Sequence, residues 1–147
     1  MKVVVDVNVW ISALLWREIP RKVLQKAQNN QITIFASQEL FQELKTTLRL
    51  HKFVSKIKSL GLTVEDLLDV STEILNFCPT ISIDVPELRD SKDNHVLAAA
   101  LSANAEVLIT GDKDLLVLNN FAGIAIMKPT DFLDLYFPPK SEIEPTK

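Results

Sequence analysis

Cysteine is nearly missing from this chain: Cys78 stands alone among 147 residues. No intrachain disulfide can form, and a reducing compartment, the cytoplasm, is the natural setting. Cys78 itself is expected to be a small buried apolar residue. Histidine is almost as scarce. His51 and His95 lie far from each other and from Cys78, which gives no zinc-ligand spacing. No apolar run is long enough to span a bilayer, so no membrane segment is expected. A secretory leader is not expected either, because Lys2 is followed by three valines and then Asp6, the pattern of a first buried strand. An excess of positive charge is also absent, the formal net charge being −3. Internal repeats and interdomain linkers are lacking.

What remains suits one folded unit. Nearly half of the residues are apolar, enough for a sizeable core. Residues 2–5 read as a strand, and residues 9–16 as a helix capped by Asn8. Pro20 suits the first turn of a second helix running to about Asn29. Residues 31–35 read as a strand. Ser37 is placed to cap a helix with Leu40, Phe41, Leu44 and Leu48 at helical spacing. A short helix is expected over 53–60, ending at Gly61, and another capped by Thr63, with Glu65 and Asp66 in its first turn. Ile81 and Ile83 suggest a strand. A small-residue helix follows Asp93, then a strand at 107–110, a short helix at 115–118, a strand at 124–127 and a helix capped by Thr130. Strand alternates with helix, so the class is α/β, a three-layer sandwich around a mostly parallel sheet. One domain is expected over 1–137. The proline- and charge-rich residues 138–147 are expected to be a disordered tail.

Three aspartates stand where a strand ends or a helix begins: Asp6 after Lys2-Val3-Val4-Val5, Asp93 at the head of Asn94-His95-Val96-Leu97, and Asp112 after Val107-Leu108-Ile109-Thr110-Gly111. An α/β sheet presents its ligand site at the carboxyl ends of its strands. Carboxylates gathered there repel one another unless a proton or a cation joins them. Glu43 shares a helical turn with Leu40 and Leu44, so it is a further inward-facing candidate. An all-oxygen set drawn from Asp6, Glu43, Asp93, Asp112 and Asp114 suits Mg2+ or Mn2+, and such an ion points to phosphoryl chemistry. Asn8 and Thr110 are candidates to orient ligands from behind. The bland readings are helix caps for Asp93 and Asp114, with Asp114 the better cap of the Asp112–Asp114 pair, turn chemistry for Gly111-Asp112, and a solvated position for Glu43.

With these residues in place the chain resembles the PIN domain family, of the kind found in VapC-type toxins of toxin–antitoxin pairs. The resemblance rests on Val4-Val5-Asp6-Val7-Asn8-Val9, on Ser37-Gln38-Glu39-Leu40-Phe41-Gln42-Glu43-Leu44, on Asp90-Ser91-Lys92-Asp93-Asn94-His95 with the alanines after it, and on Leu108-Ile109-Thr110-Gly111-Asp112-Lys113-Asp114-Leu115. Their order and spacing match over about the first 130 residues. The resemblance implies a five-stranded parallel sheet and a Mg2+- or Mn2+-dependent ribonuclease acting on RNA, restrained by an antitoxin and commonly a homodimer. Carried over by residue, Asp6, Glu43, Asp93 and Asp112 are the core acids and Asp114 a fifth. Asn8 and Thr110 are the small polar positions, and Asp90 is an acid of the preceding loop. Ser91 departs from the commonest pattern, which has proline there.

Two other classes compete. A Mg2+-dependent aspartyl phosphatase or receiver-like domain also places an aspartate after the first strand, but the phosphatase wants a second one where Asn8 stands. A catalytically silent adaptor is the other, and the full acid set speaks against it. Lys45, Arg49, Lys52 and Lys56 recur at helical spacing, yet Lys45 lies roughly 200° around the helix from Glu43. A solvated face is the expectation there. Arg17, Arg21, Lys22 and Lys26 are better placed for phosphate contacts. Trp10 and Trp16 are expected in a core or dimer contact, and His95 as structural or solvated rather than a general base.

Overall fold

The computed structural model describes residues 1–16, 18–86, 88 and 93–139, with Asp93 described at the backbone only. The tail expected at 138–147 and the candidate Asp90 therefore lie mostly or wholly outside the described residues, as does Arg17.

The first strand, β1 (Lys2–Val5), is the centre of the molecule. Val3, Val4 and Val5 are all fully buried. Successive side chains of a strand point to opposite faces, so a strand buried at every position has both faces of its sheet covered. The same holds for β4 (Val107–Ile109). The two pair in parallel, Val3 with Val107 and Val5 with Ile109. On its other side β1 pairs with β2 (Thr33–Ala36), and β2 with β3 (Leu75–Phe77). Beyond β4 lie β6 (Ile124–Met127), parallel, and the two-residue β5 (Asn120–Phe121), antiparallel at the edge. The sheet order is β3-β2-β1-β4-β6-β5. The resemblance implied five parallel strands; among the described residues the sheet has six, because a tight turn at Ala122 and Gly123, both at positive φ, folds β6 back along the two-residue β5.

Helices flank this sheet: α1 (Val7–Leu15), α2 (Ile19–Gln28), α3 (Gln38–Leu48), the short α4 (Val54–Ser59), α5 (Val64–Ile74), α6 (Asp93–Ser102), α7 (Lys113–Leu116) and α8 (Pro129–Tyr136). Several begin where the sequence indicates. The Ser37 hydroxyl accepts from the Leu40 N–H, and Thr63 forms a reciprocal capping box with Asp66. Gly61 adopts φ +72° after α4, a left-handed stop that glycine takes without strain.

Three caps differ from expectation. α1 is capped by Asp6, and Asn8 sits exposed in its first turn. α7 is capped by Asp112, whose Oδ1 accepts from the Asp114 N–H at 2.8 Å. α8 starts with Pro129 at its first position, so Thr130 lies inside the first turn. The third strand also differs. It continues straight from α5 at Leu75, whereas residues 81–83 form no strand. Leu75 turns extended at φ −101° and ψ 153° without any glycine or proline to announce it.

Candidate metal and phosphodiester site

The chain enters the sheet at β1, moves outward to β2 and β3, then returns to the opposite side of β1 as β4. The reversal opens a crevice between the carboxyl ends of β1 and β4, where open α/β sheets receive their ligands. Asp6 and Thr110 are the first residues beyond those two strands. The Asp6 N–H donates to the Ile109 carbonyl at 2.9 Å, which extends the ladder to the rim. The Thr110 N–H in turn donates to the Met127 carbonyl at 3.0 Å.

The polar groups then link across the crevice. Asp6 is only 7% exposed, and both its carboxylate oxygens are engaged. Oδ1 accepts from the Val7 N–H at 2.7 Å, and Oδ2 accepts from the fully buried Thr110 hydroxyl, also at 2.7 Å. The same hydroxyl oxygen accepts from the Asp112 N–H at 3.0 Å. Thr110 thus fixes Asp6 and the backbone of Asp112 together. Burial pushes the Asp6 pKa above the usual aspartate range; the bonds from Thr110 and Val7 oppose this, and the nearby Glu43 and Asp112 carboxylates add to the rise. The charged form is therefore disfavoured both by lost hydration and by like charge.

Glu43 reaches the site from α3, whose Leu40, Leu44 and Leu48 are buried against the core. Its side chain is 38% exposed, and its Oε1 lies 2.7 Å from His95 Nε2. The other ring nitrogen, Nδ1, lies 3.6 Å from Glu39 Oε2. The Glu43 hydrogen bond raises the His95 pKa above the usual histidine range; partial burial opposes it, and the charges of Glu43 and Glu39 reinforce it. The expectation of a structural or solvated His95 did not include this contact with Glu43. The available signal was Glu39 and Glu43 at i and i+4, a like-charge pair that wants a cation between its members.

Asp93 begins α6, two residues before His95, so its backbone lies on the helix that contacts Glu43. Asp114 is partly buried in the first turn of α7. The structure therefore brings Asp6, Glu43, Thr110 and Asp112 to one region, with Asn8 exposed on the adjoining turn. Among the described residues no three acidic, histidine or cysteine side chains are close enough to enclose a metal ion. That excludes a tight closed cage of described ligands. A hard cation at this rim would have to be held by waters as well as by carboxylates. The buried, repelled Asp6 carboxylate is the feature such a cation would relieve.

The basic stripe is occupied by the protein's own groups. Lys45, Lys52 and Lys56 stand over the rings of Phe41, Phe53 and Trp16, at 5.5, 5.2 and 5.6 Å from the centroids. Arg49 pairs with Glu65 at 2.8 Å. Lys26 lies over Phe137, while Arg21 and Lys22 are exposed. Trp10 is a core residue, and Trp16 is partly exposed at 38%. An open groove of about 770 Å3 between α7, β6 and α8, lined by Leu116, Ile126, Met127 and Leu135 among others, holds none of the candidate acids.

A family profile described as the PIN domain matches residues 2–114. The chain belongs to the PIN domain family. The match spans β1 through the first turn of α7, so every candidate acid falls inside the PIN region. An uncharacterised protein of Methanocaldococcus jannaschii is 32% identical over 124 residues, covering 82% of this chain and 76% of that protein. VapBC2 from Rickettsia felis, in a structure bound to a DNA fragment from the promoter, superposes with a TM-score of 0.58 at 15% identity, over 86% of this chain and 97% of that one. FitAcB from Neisseria gonorrhoeae gives 0.54 at 17% identity, over 87% and 98%. At these identities the likeness to the two solved structures is one of fold. Among the described residues no helix is long and apolar enough to cross a membrane.

Proposed function

We propose that this PIN domain is a divalent-metal-dependent endoribonuclease that hydrolyses RNA phosphodiester bonds, and that it is the toxin of a toxin–antitoxin pair. The observation that carries the chemistry is the linkage of Asp6, Thr110 and Asp112 across the switch-point crevice, with Glu43 close enough to raise the Asp6 pKa. Membership of the PIN family supports nuclease chemistry. The toxin assignment, an antitoxin partner and a homodimer rest on the resemblance to VapC-type proteins and on the fold shared with VapBC2. The cytoplasm fits a chain whose sole cysteine is unpaired.

Asp6 and Asp112, with Glu43 and Asp93, would hold Mg2+ or Mn2+, and Asp114 is a further candidate ligand. When bound, such an ion offsets charge on the phosphodiester and favours ionisation of a nearby water. The chain's own residues do the rest. Thr110 holds the Asp6 carboxylate in one orientation by donating to Oδ2. The buried strands behind Asp6 exclude water from its inner side. Asn8, exposed in the first turn of α1, would offer its amide to a phosphate or an ordered water.

The test is cleavage of a single-stranded RNA with Mg2+ or Mn2+ and with chelator. Cleavage should require the ion and fall by at least about a hundredfold in Asp6→Asn and in Asp112→Asn, the scale of removing a principal charge-stabilising group. Ion-independent cleavage, or cleavage unchanged in both variants, would overturn the proposal.

A further inference from the structure

Asp6 is fixed by two hydrogen bonds and Asp112 by its capping bond. Glu43 differs. It hangs on a longer side chain from the middle of α3, and a free glutamate samples many rotamers. The contact that fixes it comes from another helix: His95 Nε2 lies 2.7 Å from Oε1. The ring is itself held from the far side, where Glu39 Oε2 stands 3.6 Å from Nδ1. Glu39 and Glu43 occupy successive turns on one flank of α3, opposite the flank carrying Phe41 and Lys45. The imidazole fills the space between their carboxylates. It is 19% exposed, less than either glutamate at 51% and 38%, so packing sets its position.

We propose that His95 is a positioning residue for Glu43: it occupies Oε1, leaves Oε2 for the space shared with Asp6, and is itself oriented by Glu39. The inference rests on the metal-dependent reading above and adds two residues to it. A ligand carboxylate held by a hydrogen bond from behind meets a cation with less reordering than a free one, and loss of such support weakens metal binding. His95 also lies two residues after the start of α6, so one helix sets both the backbone of Asp93 and the head of Glu43. The spacing of α3 and α6 thereby becomes part of the site.

The experiment measures Mn2+ affinity of the full chain by electron paramagnetic resonance of the free ion, and kcat and KM on RNA, for wild type, His95→Ala, His95→Gln and Glu39→Gln. His95→Ala should weaken Mn2+ binding by roughly ten- to a hundredfold and lower kcat, with KM for RNA little changed. His95→Gln, whose amide N–H reaches the place of Nε2, should recover most of the loss. Glu39→Gln should show a smaller loss in the same direction. A purely structural histidine would lower the melting temperature without rescue by glutamine and without the split between kcat and KM. Wild-type Mn2+ affinity in folded His95→Ala overturns the positioning role alone. If His95→Ala does not fold, Glu39→Gln decides, and wild-type affinity there overturns it. A wild-type chain that binds no Mn2+ removes both this role and the metal-dependent reading.

Discussion

Asp6 caps α1, accepts from Thr110 and is almost wholly buried, so it is a structural residue and a candidate ligand at once. The two roles conflict in the metal-free chain. Its folded-state pKa is raised, so the folded protein holds that proton more tightly than the unfolded one does. The stability this confers is present at acid pH, below the ordinary aspartate range, and is lost as pH rises through the raised value. At neutral pH an ionised Asp6 is then a net burden. Asp6→Asn keeps an oxygen to cap Val7 and removes the charge, while its amide N–H donates to the Thr110 hydroxyl oxygen in place of the bond that Oδ2 accepts. In chelator at pH 7, calorimetry should find the variant melting higher than wild type by a few degrees, about 1 kcal/mol in a chain of this size. The gain should shrink toward pH 4. A variant that melts lower at pH 7 would show that the carboxylate is not under repulsion. At this scale much was legible. Asp6 and Thr110 are conspicuous in the sequence because each directly follows an apolar strand, and Asp112 because it comes two residues after Thr110. The contact of His95 with Glu39 and Glu43 was not, because it joins two helices about fifty positions apart.

At the scale of elements, local chemistry was readable wherever a cap or a stop is written into the chain. Ser37, Thr63 and Gly61 do what their types predict. Asp112 and Asp114 were exchanged in expectation because both lie within one turn, and only the direction of the side chain decides which one caps. β3 was missed for a different reason. Leu75 is buried while Asn76 and Phe77 are exposed, so three residues offer no alternation, and α5 runs into the strand without a turn. β5 is two residues long and is defined by its pairing with β6. The capping box offers a control remote in sequence from the candidate acids. Thr63→Ala should cost about 1 kcal/mol in urea denaturation and leave RNA cleavage unchanged. A loss of activity without a loss of stability would mean that α5 bears on the site in a way the fold does not explain.

For the whole molecule, topology turns separate sequence positions into a site. β1 and β4 are joined directly, although Asp6 and Thr110 are 104 positions apart. The parallel order and its reversal at β1 put their ends at one rim, and the PIN family match covers the segment that builds it. The net charge of −3 says little about this rim, since its acids would be offset by whatever cation they hold. In the proposed function Asp6, Glu43, Asp93 and Asp112 hold one cation. Its most direct test is anomalous diffraction from crystals soaked in Mn2+. Manganese density is expected in the crevice between the ends of β1 and β4, bounded by these carboxylates and lost in Asp6→Asn; crystals with no density there, or with manganese bound only elsewhere, would rule the site out.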